Sequence, residues 1–226
     1  MSEQKEYTIL DQGFVRLIDF MGGDLAVVQA ARVSFGKDIT DAERDHKLLN
    51  FLLQNHHETP FEHSVFKFHI KCPIFIARQW FRHRISSFNE ISGRYTQMEE
   101  EFYLPEKLRS QKTKNYQYID CEESVNEAMR VKIDDFYKLS YKLYQELIEA
   151  GVAKEHARIV LPLSLYTQFY WTANARALMN FLSLRLDTHA QFEIQQFAQA
   201  LDEIFAQKMP WTRAAFHKFI LKGTQQ

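Results

Sequence analysis

Residues 82–95 read Arg-His-Arg-Ile-Ser-Ser-Phe-Asn-Glu-Ile-Ser-Gly-Arg-Tyr, and this stretch directly follows an apolar run at residues 74–81. It combines three arginines, three serines, a histidine and an asparagine with a single glutamate. A guanidinium fork pairs two oxygens at once, and hydroxyl groups fill further acceptor positions. The stretch therefore predicts an anion site, with a phosphorylated small molecule as the first candidate. A solvated charged turn is the alternative, but such a turn has no use for the interleaved Phe81, Phe88 and Ile91.

The composition limits the class of protein. With 226 residues, 46% of them apolar, the chain is expected to form one domain over residues 1–226. A formal net charge of −1 argues against a nucleic-acid surface, which carries a basic excess. The N-terminus is polar and no apolar run reaches the length of a membrane span, so a cytoplasmic protein without a membrane or nucleic-acid partner is expected.

Glycine is scarce, at 7 residues, and neither G-x-G-x-x-G nor G-x-x-x-x-G-K-[ST] occurs. A nucleotide bound by this chain would not rest on a Rossmann turn or a P-loop. Side-chain cations would have to hold its phosphates, and residues 82–94 supply them.

The pattern of apolar residues predicts an α+β fold, with a small antiparallel sheet, several packed helices and one long helix near the middle of the chain. Strands are predicted at 7–20, around a turn at 11–13, and at 64–72, where alternate residues are apolar. Asp24, Thr40 and Pro73 are predicted to start helices. Helices are predicted at 25–33, 41–54, 74–81, 122–150, 155–160, 173–186, 191–207 and 211–220. The length of the helix at 122–150 suggests a subunit interface.

The predicted helix 173–186 carries only Asn and Arg beside its apolar stripe. Asn174 and Arg185 fall on one flank, and Arg176 and Asn180 fall roughly opposite. These groups donate forked hydrogen bonds, so the helix is expected to lie between two sites or between a site and another subunit. Helix-end capping with one salt bridge is the alternative.

Metal and thiol chemistry have weak support. His57 and His63 are six residues apart with Pro60 between them, which does not match a zinc helix, and His57 is expected to form a polar pocket wall instead. Cys72 falls on the apolar face of a predicted strand, as an inert thiol would. No metal site is predicted. Two rival functions stay open: a metal-dependent nucleotide hydrolase using His57, Glu62 and His63, and a single-strand nucleic-acid binder.

Residues 82–94 match R-H-R-x-x-S-x-N-x-x-S-x-R at all seven fixed positions, and this pattern resembles the signature of the flavin-dependent thymidylate synthases. The surrounding motifs agree with that resemblance over residues 27–216. They are His-Glu-Thr-Pro-Phe-Glu-His at 57–63, Ala-Arg-Gln-Trp-Phe at 77–81, Ala-Arg-Ile-Val-Leu-Pro at 157–162, Asn-Ala-Arg at 174–176 and Leu-Arg-Leu-Asp-Thr-His-Ala-Gln at 184–191.

The resemblance implies conversion of dUMP to dTMP, with methylenetetrahydrofolate as carbon donor and with FAD, reduced by NADPH, as hydride source. It implies a homotetramer whose active sites are built from several subunits. The residues implied to bind dUMP are Gln79, Arg82, Glu90, Ser92, Gly93, Arg94, Arg158 and Arg185. The residues implied to bind FAD are Thr59, Arg82, His83, Arg84, Glu90, Asn174, Arg176 and Asn180.

Arg185 is the expected catalytic residue, facing the uracil ring. Folate-only thymidylate synthases activate uracil by thiol attack, and this chain shows no thiol placed for that step. A guanidinium beside N3 and O2 of the ring would favour the N3-deprotonated form, because an opposite charge lowers that pKa.

Overall fold

The computed structural model describes residues 6–34, 36, 41–111 and 118–221. Its centre is an antiparallel five-stranded sheet in the order β1-β2-β3-β7-β4. The strands are β1 (Glu6–Ile9), β2 (Gly13–Met21), β3 (Val65–Pro73), β4 (Ser87–Glu90) and β7 (Tyr166–Asn174). β5 (Arg109–Gln111) and β6 (Tyr118–Asp120) pair separately.

Several helices pack against the sheet. They are α1 (Asp24–Val33), α2 (Ala42–Gln54), α3 (Ile74–Trp80), α4 (Glu123–Glu149), α5 (Lys154–Ala157), α6 (Ala175–Arg185), α7 (Phe192–Lys208) and α8 (Pro210–Phe219). Short 3-10 turns occupy Thr59–His63 and Arg158–Val160. The predicted α+β class is confirmed. None of the helices in these ranges combines the length and apolarity needed to cross a bilayer.

The main core lies between the sheet and the helices. Strand β3 shows why: Phe66, Phe68, Ile70 and Cys72 alternate along the strand, and each is fully buried. They pack with the Trp171 ring of β7 and with residues of α6, α7 and α8. The predicted strand at 64–72 and the inert position of Cys72 are confirmed, and burial raises the pKa of that thiol well above its usual value.

The strand β7, which lies between β3 and β4 in the sheet, was not predicted. Residues 173 and 174 were expected to begin a helix, yet β7 runs to Asn174 and pairs with β3 along its whole length. Its buried positions, Phe169, Trp171 and Ala173, do alternate, but Tyr170 between them is also aromatic, and this hides the period. The edge strand β4, inside the Arg/Ser stretch, was missed as well, because its residues are mostly exposed.

Two predicted helix starts are wrong in detail. Asp24 does not cap its own helix; it accepts hydrogen bonds from the backbone of Trp211 (2.9 Å) and from Thr212 (3.0 Å from N, 2.6 Å from Oγ1) at the start of α8. Pro73 ends strand β3, and α3 begins after it at Ile74. The start of α2 is capped by Asp41, whose carboxylate accepts from Arg44 N at 2.8 Å. The predicted capping residue Thr40 lies outside the described residues.

The predicted long helix is confirmed as α4, and its apolar side chains fall into a buried group and an exposed group. Tyr144 is buried in a small second core with Phe102 and Tyr141. Phe136 and Leu139, in contrast, are 54% and 65% exposed. Further apolar side chains are exposed along the same helix at Val125, Met129, Val131 and Leu143.

Candidate active site

A cavity of about 670 Å³ opens where β7 ends and α6 begins. Its walls come from the Arg82–Ser86 segment after α3, residues 56–62, the end of β7, α6 and the end of α8, together with Leu53 of α2. The junction is set by Asn174, which ends β7 and caps α6 by accepting from Ala177 N at 2.9 Å. The end of β7 and the start of α6 therefore both border this cavity.

Most of the residues predicted to bind FAD line this cavity. Six of the eight do so: Arg82, His83, Arg84, Asn174, Arg176 and Asn180. Arg185 lines it too. Thr59 is not part of the wall, although Glu58 and Glu62 on either side of it are. Glu90 lies outside this wall, on β4 opposite Phe169 of β7.

Arg176 is held by two carboxylates in the cavity wall. Its Nε donates to Glu58 at 2.9 Å and its Nη1 donates to Glu62 at 2.6 Å. These ion pairs raise the pKa of Arg176, chiefly through the Glu62 contact. They also fix the direction of the guanidinium, because two donors of one planar group are engaged at once.

Arg185 is positioned by backbone and by a neutral histidine. Its Nε donates to His83 Nε2 at 3.1 Å, and its Nη2 donates to the carbonyl oxygen of Gln79 at 3.2 Å. Burial, together with the neighbouring Arg82, lowers the pKa of this guanidinium. Burial and then Arg185 itself lower the pKa of His83 to about 4. His83 is therefore an acceptor at neutral pH, which lets Arg185 donate to it.

The lowered pKa of His83 predicts that the stability of the protein depends on pH. A histidine with a usual pKa near 6.5 binds a proton in the unfolded chain, while folded His83 resists it until about pH 4. The free energy of unfolding should therefore fall as the pH drops from about 6.5 towards 4, through this group. We expect His83→Asn to show a shallower loss of melting temperature over that range. Identical pH slopes in the two proteins would contradict the assignment.

The remaining predicted dUMP residues cluster at the start of β7. Glu90 accepts from Thr167 Oγ1 at 2.7 Å, and Arg94 Nε lies 3.3 Å from Glu155. Gly93 lies against Arg158, because a Cβ added at Gly93 would be 3.2 Å from Arg158 Cδ. Ser92 Oγ accepts from Arg94 N at 3.3 Å. Together these residues form one cluster: Glu90, Ser92, Gly93, Arg94 and Arg158. The cluster contains two cations, the guanidinium groups of Arg94 and Arg158, and the Arg158 side chain lies close to the backbone of Gly93.

Strand β7 separates the two groups. Thr167, beside Glu90, and Asn174, in the cavity wall, are seven residues apart on one extended strand. At roughly 3.3 Å per residue their Cα atoms are about 23 Å apart. Of the predicted dUMP residues, Arg82 and Arg185 line the cavity, and Glu90, Ser92, Gly93, Arg94 and Arg158 do not. Gln79, Arg82 and Arg185 belong to the cavity end, and Gln79 Nε2 is there bonded to Gln191 at 2.5 Å.

Several sequence expectations need correction at this site. His57 does not line this cavity; its ring packs edge-on against Phe51, and His56 lines the cavity instead. Glu62, proposed for a metal in one rival function, is bound to Arg176. Within the described ranges, no three His, Cys, Asp or Glu side chains form a cluster that could hold a metal ion.

Parts of the wall were also missed at the level of sequence. Glu58 was noted only as part of a motif and Glu62 only as a metal ligand of the rival hydrolase, yet both carboxylates orient Arg176. Their spacing of four residues could have suggested a pair of carboxylates facing one cation. Trp171 was missed because β7 was missed.

Comparisons with known proteins agree with one another. Residues 16–211 match the family described as thymidylate synthase complementing protein. The chain is 57% identical over 221 residues to a flavin-dependent thymidylate synthase of Thermosipho africanus, covering 96% of each. It is 49% identical over 215 residues to one of Thermus thermophilus, covering 95% of this chain and 79% of that protein.

Solved structures give the same result. A UMP/dUMP methylase, PolB, from Streptomyces cacaoi bound with 5-Br dUMP superposes with a TM-score of 0.86 at 36% identity, over 94% of this chain and 98% of that one. The same enzyme bound with 5-Br UMP gives a TM-score of 0.84 at 38% identity, over 92% and 94%. With its motif, its fold and these relatives in agreement, the chain belongs to the flavin-dependent thymidylate synthase family.

Proposed function

We propose that this enzyme, a methyltransferase by its family, converts dUMP to dTMP by reductive methylation. Methylenetetrahydrofolate would donate the carbon, and NADPH would reduce a bound FAD. The observation that carries the proposal is the cavity at the β7–α6 junction, which collects Arg82, Arg84, Arg176 and Arg185 with two asparagine amides. We propose a cytoplasmic location and a single domain over residues 1–226.

The donor set of the cavity fits a flavin dinucleotide. The pyrophosphate of FAD needs cations where no glycine-rich loop exists, and four arginines against Glu58 and Glu62 leave a positive excess. Asn174 uses its side-chain oxygen in the helix cap, and its amide nitrogen carries two donors. When bound there, FAD supplies the hydride that the protein's own side chains cannot.

The cluster at the start of β7 suits the phosphate of dUMP. Arg94 and Arg158 supply the charge, Ser92 supplies a hydroxyl, and Gly93 leaves room for backbone approach. Because none of the residues of this cluster lines the cavity of the same chain, we propose that a complete site takes its phosphate cluster from a second subunit. Gln79, Arg82 and Arg185 would then meet the pyrimidine from the flavin side.

Arg185 would polarise the uracil ring. A guanidinium near N3 and O2 stabilises the negative charge that N3 deprotonation leaves on the ring, which makes C5 electron-rich without a thiol at C6. His83 and the Gln79 carbonyl would hold that guanidinium in place through their contacts at 3.1 and 3.2 Å. A preorganised cation requires no rearrangement when charge develops.

We propose a homotetramer. The exposed apolar side chains of α4, including Phe136 and Leu139, form a face that a second copy would bury. We expect static light scattering at micromolar concentration to give four times the chain mass of 26.9 kDa. A monomer under those conditions would contradict both the shared site and this assembly.

The reaction is tested by following its products. We expect purified protein to be yellow, to be bleached anaerobically by NADPH, and then to form dTMP when dUMP and methylenetetrahydrofolate are added. The nucleotide products are separated and identified by mass. A colourless protein that hydrolyses nucleotides with added metal would support the rival hydrolase and reject the proposal.

A further inference from the structure

Helix α4 carries two apolar stripes, and only one of them packs against its own chain. Tyr137, Tyr141 and Tyr144 face the small second core, where the Tyr137 ring stacks on Phe102 at 4.9 Å between centroids. At about 100° per residue, the second stripe lies roughly 130° away round the helix. Its positions repeat at alternating spacings of four and three residues, and we call them the α4 seam: Val125, Met129, Lys132, Phe136, Leu139 and Leu143.

The α4 seam has the pattern of a helix that pairs with another helix. An alternation of three and four residues is the heptad spacing of the contact positions in coiled coils. All seam side chains except Lys132 are apolar, and each of these apolar side chains is between 37% and 65% exposed. Single exposed apolar residues are normal on a protein surface, but a regular row of them over about five helical turns is typical of an interface.

Lys132 decides in which direction a second copy of this helix can lie. In a parallel pair each seam position meets its own counterpart, so two Lys132 ammonium groups would meet between apolar side chains and repel each other. In an antiparallel pair, Lys132 can instead meet Phe136 of the partner subunit, whose ring attracts an ammonium group to its face. Because the seam spacings read the same in both directions, this register pairs all six positions, and any other antiparallel register leaves some of them without a partner.

The charges beside the α4 seam support the same arrangement. Asp135 is exposed on the flank of the seam, three residues after Lys132. Nearby charged side chains pair within the helix, Asp134 with Lys138 at 2.5 Å and Lys142 with Glu146 at 3.8 Å, and neither Lys132 nor Asp135 takes part in these pairs. In the antiparallel arrangement, Lys132 lies beside Asp135 of the partner subunit, so the two-fold axis generates two ion pairs of opposite charges.

We propose that the α4 helices of two subunits pair antiparallel across a two-fold axis, with Lys132 held between Phe136 and Asp135 of the partner subunit. Met129 then meets Leu139 of the partner subunit, and Val125 meets Leu143 of the partner subunit. This pairing rests on the proposed homotetramer and assigns one of its interfaces. It does not depend on the proposed reaction, because no residue of the α4 seam lines the cavity at the β7–α6 junction.

Disulfide cross-linking of the assembled enzyme tests the register. In a Cys121→Ser background, which removes the partly exposed native thiol, we expect Met129→Cys/Leu139→Cys to form a covalent dimer on oxidation. Each single variant should stay uncross-linked on a denaturing gel, because antiparallel pairing places two copies of one of these positions about 15 Å apart along the helix axis. Val131→Cys/Leu139→Cys is the matched control, since Val131 is exposed on α4 outside the seam. Cross-linking by a single variant or by the control, or none in the Met129→Cys/Leu139→Cys variant, would overturn the proposal.

Exchange of charges tests the role of Lys132. Lys132→Glu places a carboxylate beside Asp135 of the partner subunit, so we expect the dissociation constant of the assembly, measured by analytical ultracentrifugation, to rise roughly tenfold or more. Asp135→Lys should have the same effect, and Lys132→Glu/Asp135→Lys should return to within about threefold of the parent value. Glu127→Lys, exposed on the far side of α4, is the matched control and should assemble like the parent protein. A parent-like dissociation constant in both single variants, or no recovery in the double variant, would overturn the proposal, and neither readout depends on whether the enzyme forms dTMP.

Discussion

Arg185→Ala is expected to lower dTMP formation by about 100- to 1000-fold, the range found when a preorganised donor to a developing charge is removed. The reason lies in its surroundings. The guanidinium is held by His83 and by the Gln79 carbonyl, so it is already oriented before charge develops on the ring. Flavin binding and reduction by NADPH should largely persist, because Arg82, Arg84 and Arg176 remain in the cavity.

A direct readout separates this role from a folding defect. Arg185 contributes to the lowered pKa of His83, so Arg185→Ala should raise the pKa of that histidine above about 4, measurable by NMR titration. Arg185→Lys is the graded variant, since it keeps a charge but loses the planar fork. Near-wild-type dTMP formation by Arg185→Ala, in a protein whose His83 pKa has moved as expected, would remove Arg185 from the mechanism.

Mixing two inactive variants is expected to restore activity. Arg94→Ala damages the phosphate cluster and Arg185→Ala damages the flavin end, and within one chain Arg185 lines the cavity while Arg94 does not. If each site combines the two ends from two subunits, random mixing leaves one site in four with both arginines. We therefore expect co-refolded or co-expressed mixtures to recover about a quarter of the parent activity, measured as dTMP formation, an arithmetic that assumes free exchange of subunits.

The matched control mixes Arg94→Ala with Arg158→Ala. These two residues belong to the same cluster, because Gly93 lies against Arg158 within one chain. A site that takes this cluster from one subunit finds no subunit with both arginines intact, so activity should not return. Recovery in the control, or none in the first mixture, would contradict the shared site.

The candidate cavity could be predicted from sequence to the extent that its chemistry lies in consecutive residues. The Arg82–Arg84 run and the Asn174–Arg176 run each carry several donors in a few positions, and both contribute to the cavity wall. The local sequence shows directly which side chains can donate hydrogen bonds. The local sequence does not show that Arg82 lines the cavity while Glu90, only eight residues later, does not. The position of Glu90 depends on the pairing of β4 with β7.

The fold was predictable where one face of an element is apolar and the other polar. Strand β3 and helix α4 meet that condition and were found. Strand β7 is half-buried, and the aromatic Tyr170 on its exposed face reduces the contrast between the two faces, so its period was hidden. Asp24 was misassigned for a related reason: an acidic residue before a helix predicts a cap, but the helix that it caps, α8, begins 186 residues later at Pro210.

Strand β7 also limits how this protein can change its length. Successive residues of a strand face opposite sides, so inserting or deleting one residue within Tyr166–Asn174 would turn Trp171 from the core towards water. A change of two residues would keep the facing but move the two ends by about 7 Å relative to each other. Viable insertions should therefore be absent from this segment, and a library of single-codon insertions scored by thymidine-independent growth would reveal such a gap.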